Sequence, residues 1–229
     1  MDRITVRALG PGSMNLPIRR LLNSRLDDAK QRSIMELTKH LDLGCGHRPR
    51  NPYMRDLLFG VDIKTDAEHK DCVIKKANLA VGKIPFEDNF FDSVSAYDFL
   101  EHIPRMLLIS DRKEPVFPFV ELMNEIWRVL KPDGMFYAVT PAYPRSEAFA
   151  DPTHVNMISG RTHRYFTEPH CGAKAYGFTG CFRIKRVKWV RPKYEFEPTC
   201  LNARQALRKI CDVLKNRNSH MLWELRAIK

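Results

Sequence analysis

The sequence has no long apolar run. Its 229 residues contain no stretch of 18 or more apolar residues, the length that a membrane-spanning helix needs, and the first residues lack the apolar core of a signal peptide. It also has no internal repeat, no low-complexity tract and no Gly/Ser-rich linker. With 44% hydrophobic and 28% charged residues, these absences favour a single globular domain located in the cytoplasm.

Paired cysteines and metal-ligand motifs are also missing. None of the six cysteines forms a C-x-x-C pair, and no group of His, Asp, Glu or Cys has the spacing of a zinc site. We therefore expect reduced thiols in a reducing compartment and no metal ion. The cysteines are Cys45, Cys72, Cys171, Cys181, Cys200 and Cys211.

Acidic residues are scarce in the last third of the chain. Residues 1–150 carry 22 Lys and Arg against 21 Asp and Glu, whereas residues 151–229 carry 16 against 6. This excess accounts for most of the net charge of +11. It favours contact with an anionic ligand, a nucleic acid or a membrane surface, although a solvated basic face would have the same composition.

The first 37 residues fall into two parts. Gly10 to Ser13, followed by Met14, resemble the remnant of a protease site used in cloning, which would place the natural start at Met14. Whether residues 1–13 are native is left open, and nothing below depends on them. Apolar residues at helical spacing among many charges then predict amino-terminal helices over residues 14–37.

Short apolar runs separated by turn or helix signals follow over residues 38–142, the expected ligand-binding core. Such runs, alternating with helices, predict βαβ units and a parallel sheet with helices on both faces. The expected strands are His40–Leu43, Leu57–Ile63, Cys72–Ile74, Ser93–Tyr97 and Met135–Thr140, with a helix at Phe117–Leu130.

The remaining residues change in character. Residues 143–180 are rich in Pro, Gly, His and aromatic residues without clear periodicity, which is typical of a lid or binding loop. Residues 181–229 predict strands at Phe182–Val190 and His220–Ile228 around a basic amphipathic helix at Leu201–Lys215. In that helix, the spacing places Ala203, Leu207, Ile210, Cys211 and Leu214 inward and Arg204, Arg208, Lys209 and Lys215 outward.

The strongest local motif is Leu41-Asp42-Leu43-Gly44-Cys45-Gly46. A strand that runs into a Gly-x-Gly turn lets a ligand approach the backbone at the carboxyl edge of a parallel sheet. Pro49 stands where a dinucleotide fingerprint needs its third glycine, and no G-K-[ST] follows, so this is not a P-loop. Pro49 and Pro52 also break the helix that would bind a pyrophosphate. The turn therefore favours a ligand without phosphates.

A second motif ends the next expected strand. Phe59-Gly60-Val61-Asp62-Ile63 places a carboxylate sixteen residues after Gly46. An acid at this position can accept hydrogen bonds from both hydroxyls of a ribose. The alternative is a surface acid or a helix cap.

With three further segments, these motifs resemble the class I S-adenosylmethionine-dependent methyltransferases, in particular the small-molecule enzymes with an L-D-x-G-C-G motif. The further segments are Ile84–Val94, Phe99–Ile103 and Glu125–Gly134. The resemblance implies a Rossmann-like α/β fold with a seven-stranded, mostly parallel sheet whose last strand runs antiparallel. More weakly, Asp151-Pro152-Thr153-His154 resembles a segment of methyltransferases from bacterial surface-polysaccharide and related sugar pathways.

The same resemblance implies S-adenosylmethionine as the cofactor and a set of binding residues. Asp42 and the turn Gly44, Cys45 and Gly46 would line its methionine part, Asp62 would bind the ribose, Asn78 and Leu79 would flank the adenine, and Tyr97 and Asp98 would lie near the amino acid end. Two features depart from the family pattern. His47–Arg55 is short and broken by prolines where relatives have a helix, and Asn78 replaces a frequent acid.

Methyl transfer from a sulfonium needs no protein nucleophile. The enzyme must align the acceptor and, for a hydroxyl, help to remove its proton. His154 is the candidate base because imidazole titrates near neutral pH, with Asp151 orienting it. His102 is the second candidate. A loop histidine that only anchors the lid is the simpler alternative for His154.

Three classes of function remain for this protein, and the basic last third bears on the choice between the first two. We expect O-methylation of a sugar acceptor, in a polysaccharide, a lipid-linked sugar or a nucleotide sugar. The alternative is methylation of RNA or DNA, whose backbone would follow the same charge. Thr140-Pro141-Ala142-Tyr143 resembles the Asn-Pro-Pro-Tyr motif of amino methylation but follows the fifth strand and lacks the second proline.

The third class is a non-catalytic module that keeps the fold. Such a module should have eroded cofactor motifs, and these motifs are intact. The basic helix could also contact a partner or an anionic membrane.

Overall fold

The computed structural model describes residues 37–64, 67–69, 72–108, 114–196 and 203–229. The predictions for residues 1–36, which include most of the amino-terminal helices, lie outside the described residues. No helix in the described ranges is long and apolar enough to cross a membrane.

The described residues form one mixed sheet of eight strands with the order β3-β4-β2-β1-β5-β6-β8-β7. The five neighbouring strands β4, β2, β1, β5 and β6 are parallel to one another, and β8 runs antiparallel to both β6 and β7. All seven expected strands are present, and the mostly parallel, Rossmann-like sheet with an antiparallel last strand is confirmed. Short β3 is an addition that pairs antiparallel with β4 at the edge. The strands are β1 Lys39–Leu43, β2 Leu57–Asp62, β3 Ala67–His69, β4 Cys72–Lys76, β5 Phe91–Tyr97, β6 Leu130–Pro141, β7 Phe182–Val190 and β8 His220–Ala227.

The described ranges contain three α-helices: α1 Pro118–Val129, α2 Glu147–Ala150 and α3 Ala203–Leu214. Helix α1 confirms the helix predicted at Phe117–Leu130. It begins with a proline, whose missing N–H costs nothing in the first turn, and buries an apolar face. The described connections that follow β1 and β4 contain turns and no α-helix. The predicted alternation of strands and helices therefore begins only after β5.

The two faces of the central strands differ in chemistry, because side chains alternate along a strand. One face is apolar, and Phe136 on this face connects through Phe182, Phe178 and Phe166 to Phe119 of α1. The other face carries a buried polar chain. His40 lies 2.8 Å from the hydroxyls of both Ser93 and Ser95, and Ser95 donates to Asp42 at 2.6 Å.

Helix α3 exposes Arg204, Arg208 and Lys215 as predicted, but its apolar residues do not face inward. Leu207, Ile210 and Leu214 were expected to face inward, yet they are 62%, 56% and 80% exposed. Ala203 and Cys211 are exposed as well. The apolar periodicity therefore marks the solvent face of this helix.

A charged anchor explains the orientation of α3. The Asp212 carboxylate, only 8% exposed, forms ion pairs with Arg191 at 2.7 Å, Arg217 at 3.4 Å and Lys193 at 3.5 Å, and accepts a hydrogen bond from Tyr194. The Arg191 guanidinium holds the pKa of Asp212 well below its usual range. Lys209, expected to face outward, is half-buried beside Glu195. The helix is thus attached to the protein through its polar side.

Candidate functional site

The glycine turn after β1 is held against the end of β2. Gly44 donates its N–H to Val61 O at 2.8 Å, and Gly46 donates to Asp62 Oδ2 at 2.9 Å. Both glycines have positive φ, +64° and +57°, which glycine adopts without strain. A Cβ at Gly44 would lie 2.4 Å from the Phe99 ring, whereas a Cβ at Gly46 would meet nothing within 4 Å. The turn is therefore packed at Gly44 and open at Gly46.

Asp62 lies beside this opening, as the sequence predicted from its position. Its Oδ2 accepts from Gly46 N and its Oδ1 accepts from Lys64 N, each at 2.9 Å. A carboxylate has about four lone-pair sites, so acceptor capacity remains for ligand hydroxyls. The side chain is partly exposed, which leaves it accessible to a ligand.

Asp42 and Cys45, by contrast, lie in the interior. Asp42 is fully buried, accepts from Arg50 N at 2.8 Å, and thereby ties the segment after the turn to β1. Burial raises the pKa of Asp42 to about 7 and lowers the pKa of His40 to about 3. Burial also raises the pKa of Cys45 to about 12, which makes its thiol unreactive at neutral pH.

The segment His47–Arg55 has no helix, as its prolines predict. Its Arg50 guanidinium lies over two aromatic rings, 4.8 Å from the centre of Tyr97 and 4.6 Å from that of Phe196. Such stacking is a cation–π contact, and it closes the segment over the end of β5. Nothing in the sequence singled out Arg50 or Phe196, because neither lies in a motif or a periodic run.

The remaining predicted cofactor residues lie at the same edge of the sheet. Asn78 and Leu79 follow β4, whose Lys76 pairs with Asp62. Asn78 is exposed and Leu79 is buried. Tyr97 ends β5 and is buried, with no hydrogen-bond partner for its hydroxyl among the described residues. Asp98 follows with a positive φ and lies 3.1 Å from His220 Nε2.

These residues fit an adenosyl ligand that carries no phosphate. The opening at Gly46 admits a ligand to the backbone, Asp62 offers acceptors to a ribose, and the exposed amide of Asn78 can hydrogen-bond an adenine. All of them follow the carboxyl ends of parallel strands, where α/β sheets bind their ligands.

A second cluster forms beyond β5, where the structure brings the three predicted catalytic residues together. His102 and His154 have ring centres 4.8 Å apart, and His154 Nε2 lies 4.0 Å from Asp151 Oδ2. Glu101 joins them, with its Oε1 also 4.0 Å from His154 Nε2. Sequence reasoning missed Glu101, although a glutamate in the apolar run Phe99–Ile103 and next to a candidate histidine was the available signal.

Hydrogen bonds assign the protons of both histidines. His154 Nδ1 lies 3.2 Å from Ala148 O, which can only accept, so Nδ1 carries the proton and Nε2 has a free lone pair. His102 Nδ1 donates to Thr153 Oγ1 at 3.0 Å, because that hydroxyl donates its own proton to Asp151 at 2.6 Å. Both Nε2 atoms are therefore available to a ligand or a proton.

Glu101 is the most buried member of the cluster. It is 1% exposed, and its Oε2 accepts from Thr140 Oγ1 at 2.9 Å, while Oε1 has no partner among the described residues. Burial raises the pKa of this carboxyl to about 8. Thr140, the last residue before the Pro141 end of β6, thus holds the carboxyl group toward His154.

The lid is attached to this cluster by its backbone. Val155 N and Asn156 N both donate to Glu101 O at 2.9 Å, and the Asn156 amide donates to Leu100 O at 3.0 Å. Arg105 Nε in turn donates to Asn156 Oδ1 at 2.7 Å. The lid segment that carries His154 is therefore fixed to the end of β5.

A cavity of about 490 Å³ opens next to this attachment. Arg105 lines it and also binds Asn156, so the cavity adjoins the cluster. Its walls combine two arginines with aromatic rings from α1, the segment before it and the lid. These residues are Arg105, Arg161, Phe117, Phe119, Tyr165, Phe166 and Tyr176.

Comparison with known proteins agrees with this geometry. Residues 41–138 match the family model described as "Methyltransferase domain". No curated protein sequence matches the chain significantly. A chain from the Haloferax volcanii complex of the Trm112 methyltransferase activator with its methyltransferase partner has the same fold, with a TM-score of 0.50 and 13% identity over 87% of this chain and 88% of that one.

Two further solved structures are similar at lower scores. The S-adenosylmethionine-dependent methyltransferase from Mesorhizobium loti has a TM-score of 0.48 and 15% identity, covering 90% of this chain and 99% of its own. The enzyme of the same description from Archaeoglobus fulgidus has a TM-score of 0.47 and 16% identity, covering 87% and 91%.

Proposed function

Since this chain is a class I S-adenosylmethionine-dependent methyltransferase, with its methyltransferase domain at residues 41–138, we propose that it methylates a hydroxyl of an anionic sugar acceptor. The observation that carries the proposal is the free Nε2 lone pair of His154, which lies between two carboxylates beside an arginine- and aromatic-lined cavity. S-adenosylmethionine supplies a methyl group on a sulfonium centre, so the protein needs to provide no nucleophile.

The proposed cofactor contacts follow the strand ends. The turn Gly44–Gly46, with Asp42 behind it, holds the methionine part, and Tyr97 and Asp98 lie near its amino acid end. Asp62 binds the ribose hydroxyls. Asn78 and Leu79 flank the adenine. The open approach at Gly46 and the acceptor capacity of Asp62 support this arrangement.

His154 is the proposed proton acceptor for the hydroxyl. Its Nε2 takes the hydroxyl proton, and the imidazolium that forms lies 4.0 Å from both Glu101 and Asp151. The Asp151 carboxylate would stabilise the positive charge, since an opposite charge within about 4–6 Å favours the charged form. His102 extends the same network through Thr153 and Asp151.

The cavity is the proposed acceptor site. Aromatic rings provide apolar faces for a sugar ring, and the guanidinium groups of Arg105 and Arg161 suit a phosphate or carboxylate. This chemistry fits a nucleotide sugar, a lipid-linked sugar or an acidic polysaccharide. The proposed location is the cytoplasm, because Cys45, Cys171, Cys181 and Cys211 form no disulfide bond, as expected in a reducing compartment.

Nucleic acid is the second candidate acceptor, because of the basic last third. Much of that charge is already paired, however, in the ion pairs Arg183–Glu168, Arg186–Glu224, Lys188–Glu195, Arg191–Asp212 and Arg226–Asp133. Paired cations neutralise fewer phosphates, so this observation favours the sugar.

Label transfer from methyl-labelled S-adenosylmethionine tests the acceptor class. Nucleotide sugars and acidic oligosaccharides are offered in parallel with tRNA and single-stranded DNA. We expect an alkali-stable methyl ether on a sugar, and an Arg161→Ala variant should lose acceptor affinity with unchanged cofactor affinity. Label in nucleic acid alone would replace the proposal with the second candidate.

We also propose that α3 contacts an anionic membrane surface. Its outer face combines exposed Leu207, Ile210 and Leu214 with exposed Arg204 and Arg208. An exposed apolar stripe flanked by cations is typical of a helix that lies in the headgroup region. A lipid-linked acceptor would be presented at such a surface.

Sedimentation with vesicles tests this contact. Arg204→Gln with Arg208→Gln should weaken binding to phosphatidylglycerol-containing vesicles about tenfold or more, because each basic residue near the surface contributes about 1 kcal/mol. Lys174→Gln with Lys185→Gln, which removes two exposed cations elsewhere, is the matched control. If the wild-type protein does not bind these vesicles at low salt, α3 does not contact a membrane.

A further inference from the structure

Three metal-ligating groups of different chain segments meet beyond β5. One ligand atom each from Glu101, His102 and His154 lies within 4.8 Å of the others. The 3-10 helix Leu100–His102 provides the first two and the lid provides the third. In a tetrahedral site with bonds of about 2.0–2.2 Å, ligand atoms lie about 3.3–3.6 Å apart, so side-chain shifts of about 1 Å would complete the site.

In each of the three groups, a second polar atom forms a hydrogen bond that orients the side chain. His102 Nδ1 donates to Thr153 Oγ1, His154 Nδ1 faces Ala148 O, and Glu101 Oε2 accepts from Thr140. Histidines that bind metals almost always donate their other ring N–H to a carbonyl, a carboxylate or a water, which fixes the tautomer. Here this pattern leaves Nε2 free on both rings.

The third group is a buried carboxylate oxygen without a partner. Glu101 Oε1 has no hydrogen bond among the described residues, and the side chain is 1% exposed. Buried polar oxygens are almost always satisfied by a partner, and buried charges are paired or coordinate metals. His154 Nε2, at 4.0 Å from this oxygen, is beyond hydrogen-bond distance. A metal ion between the two atoms would bind both.

The backbone holds this arrangement in place. Because Val155 N and Asn156 N both donate to Glu101 O, the lid segment next to His154 is tied directly to the residue that carries the carboxylate. Sequence spacing could not reveal the site, since His154 lies about fifty residues beyond the other two groups.

We propose that Glu101, His102 and His154 bind a divalent transition-metal ion. Two imidazoles and one carboxylate form the donor set of open zinc and non-haem iron sites, whereas Mg²⁺ and Ca²⁺ prefer oxygen ligands. Three protein ligands leave at least one coordination position for an oxygen of a bound molecule. Asp151 Oδ2, 4.0 Å from His154 Nε2 and partly exposed, lies at the outer side of the site.

The role of the ion rests on the proposed function, which places the acceptor hydroxyl at this cluster. In the loaded protein the hydroxyl oxygen binds the ion, which lowers the pKa of the hydroxyl, and its proton passes to solvent by way of the Asp151 carboxylate. The ion and the proton compete for the same lone pair of His154. His154 is therefore a ligand in the loaded protein and a proton acceptor in the metal-free protein.

Calorimetric titration of chelator-treated full-length protein with Zn²⁺ tests the site without any activity measurement. We expect one Zn²⁺ per chain, and at least about 100-fold weaker binding for Glu101→Gln and for His154→Gln, since each removes a ligand. Glu121→Gln and His170→Gln, at exposed positions, are the matched controls. Co²⁺ gives a second readout through its visible absorption, which should change on binding, while Mg²⁺ should not compete.

The outcomes separate the two proposals. Absence of stoichiometric Zn²⁺ binding, or binding unaffected in both ligand variants with folding confirmed by circular dichroism, overturns the metal site and leaves the His154 base untouched. Zn²⁺ binding that depends on Glu101 and His154, together with no methylation of any sugar, retains the metal site and overturns the proposed acceptor.

Discussion

His154→Gln is expected to slow methyl transfer by about 10²–10⁴-fold, the usual contribution of a positioned general base. The free Nε2 lies between Glu101 and Asp151, and glutamine cannot accept the hydroxyl proton there. Because His154 lies on the lid and not at the glycine turn, the Kd for S-adenosylmethionine should stay unchanged. Single-turnover methylation and calorimetric titration measure the two quantities separately.

The control for this variant is His170→Gln, an exposed histidine of the same lid. It should retain full turnover. Full activity of His154→Gln would remove His154 from the reaction, and reduced cofactor affinity would show that the lid also shapes the cofactor site.

Asp62→Asn is expected to raise the Kd for S-adenosylmethionine and S-adenosylhomocysteine about 10- to 100-fold, which corresponds to the loss of charge-assisted hydrogen bonds. The carboxylate lies next to the opening at Gly46 and already accepts from the Gly46 N–H. Asparagine keeps one acceptor for this N–H, so the turn should persist. Asp62→Ala removes the acceptor as well and should weaken binding further.

Asp133→Asn is the matched control, since Asp133 is an exposed acid near the start of β6, far along the chain from the strand-end motifs. Its cofactor affinity should equal that of the wild type. Unchanged affinity in both Asp62 variants, with the fold intact, would mean that the ribose lies elsewhere.

The sheet could be read from the sequence because parallel strands are buried on both faces and give short apolar runs. The seven expected strands all occur. The orientation of α3 could not be read in the same way. Its apolar periodicity indicated a buried face, but Asp212 attaches the helix through ion pairs with Arg191, Lys193 and Arg217. Arg191 lies 21 residues before Asp212, so the local pattern of the helix contains no trace of this partner.

The candidate site also has one part that local motifs predict and one part that depends on contacts distant in sequence. The glycine turn and Asp62 are local motifs at strand ends, and their predicted proximity is seen in the Gly46–Asp62 hydrogen bond. The cluster of Glu101, His102 and His154 exists only because the lid folds back onto the 3-10 helix Leu100–His102. The sequence offered only one signal for its most buried member, Glu101, which is its place in a short apolar run next to His102.

The hydrogen bonds that attach the lid divide it into two parts: one part is bonded to Glu101 and Leu100, and the other lines the cavity. The backbone bonds to Glu101 and Leu100 end at Asn156, and the lid residues that line the cavity begin at Ser159. Under the proposed function, exchange of residues 159–176 would alter the acceptor cavity and leave the residues bonded to Glu101 in place, because only two residues separate the two parts.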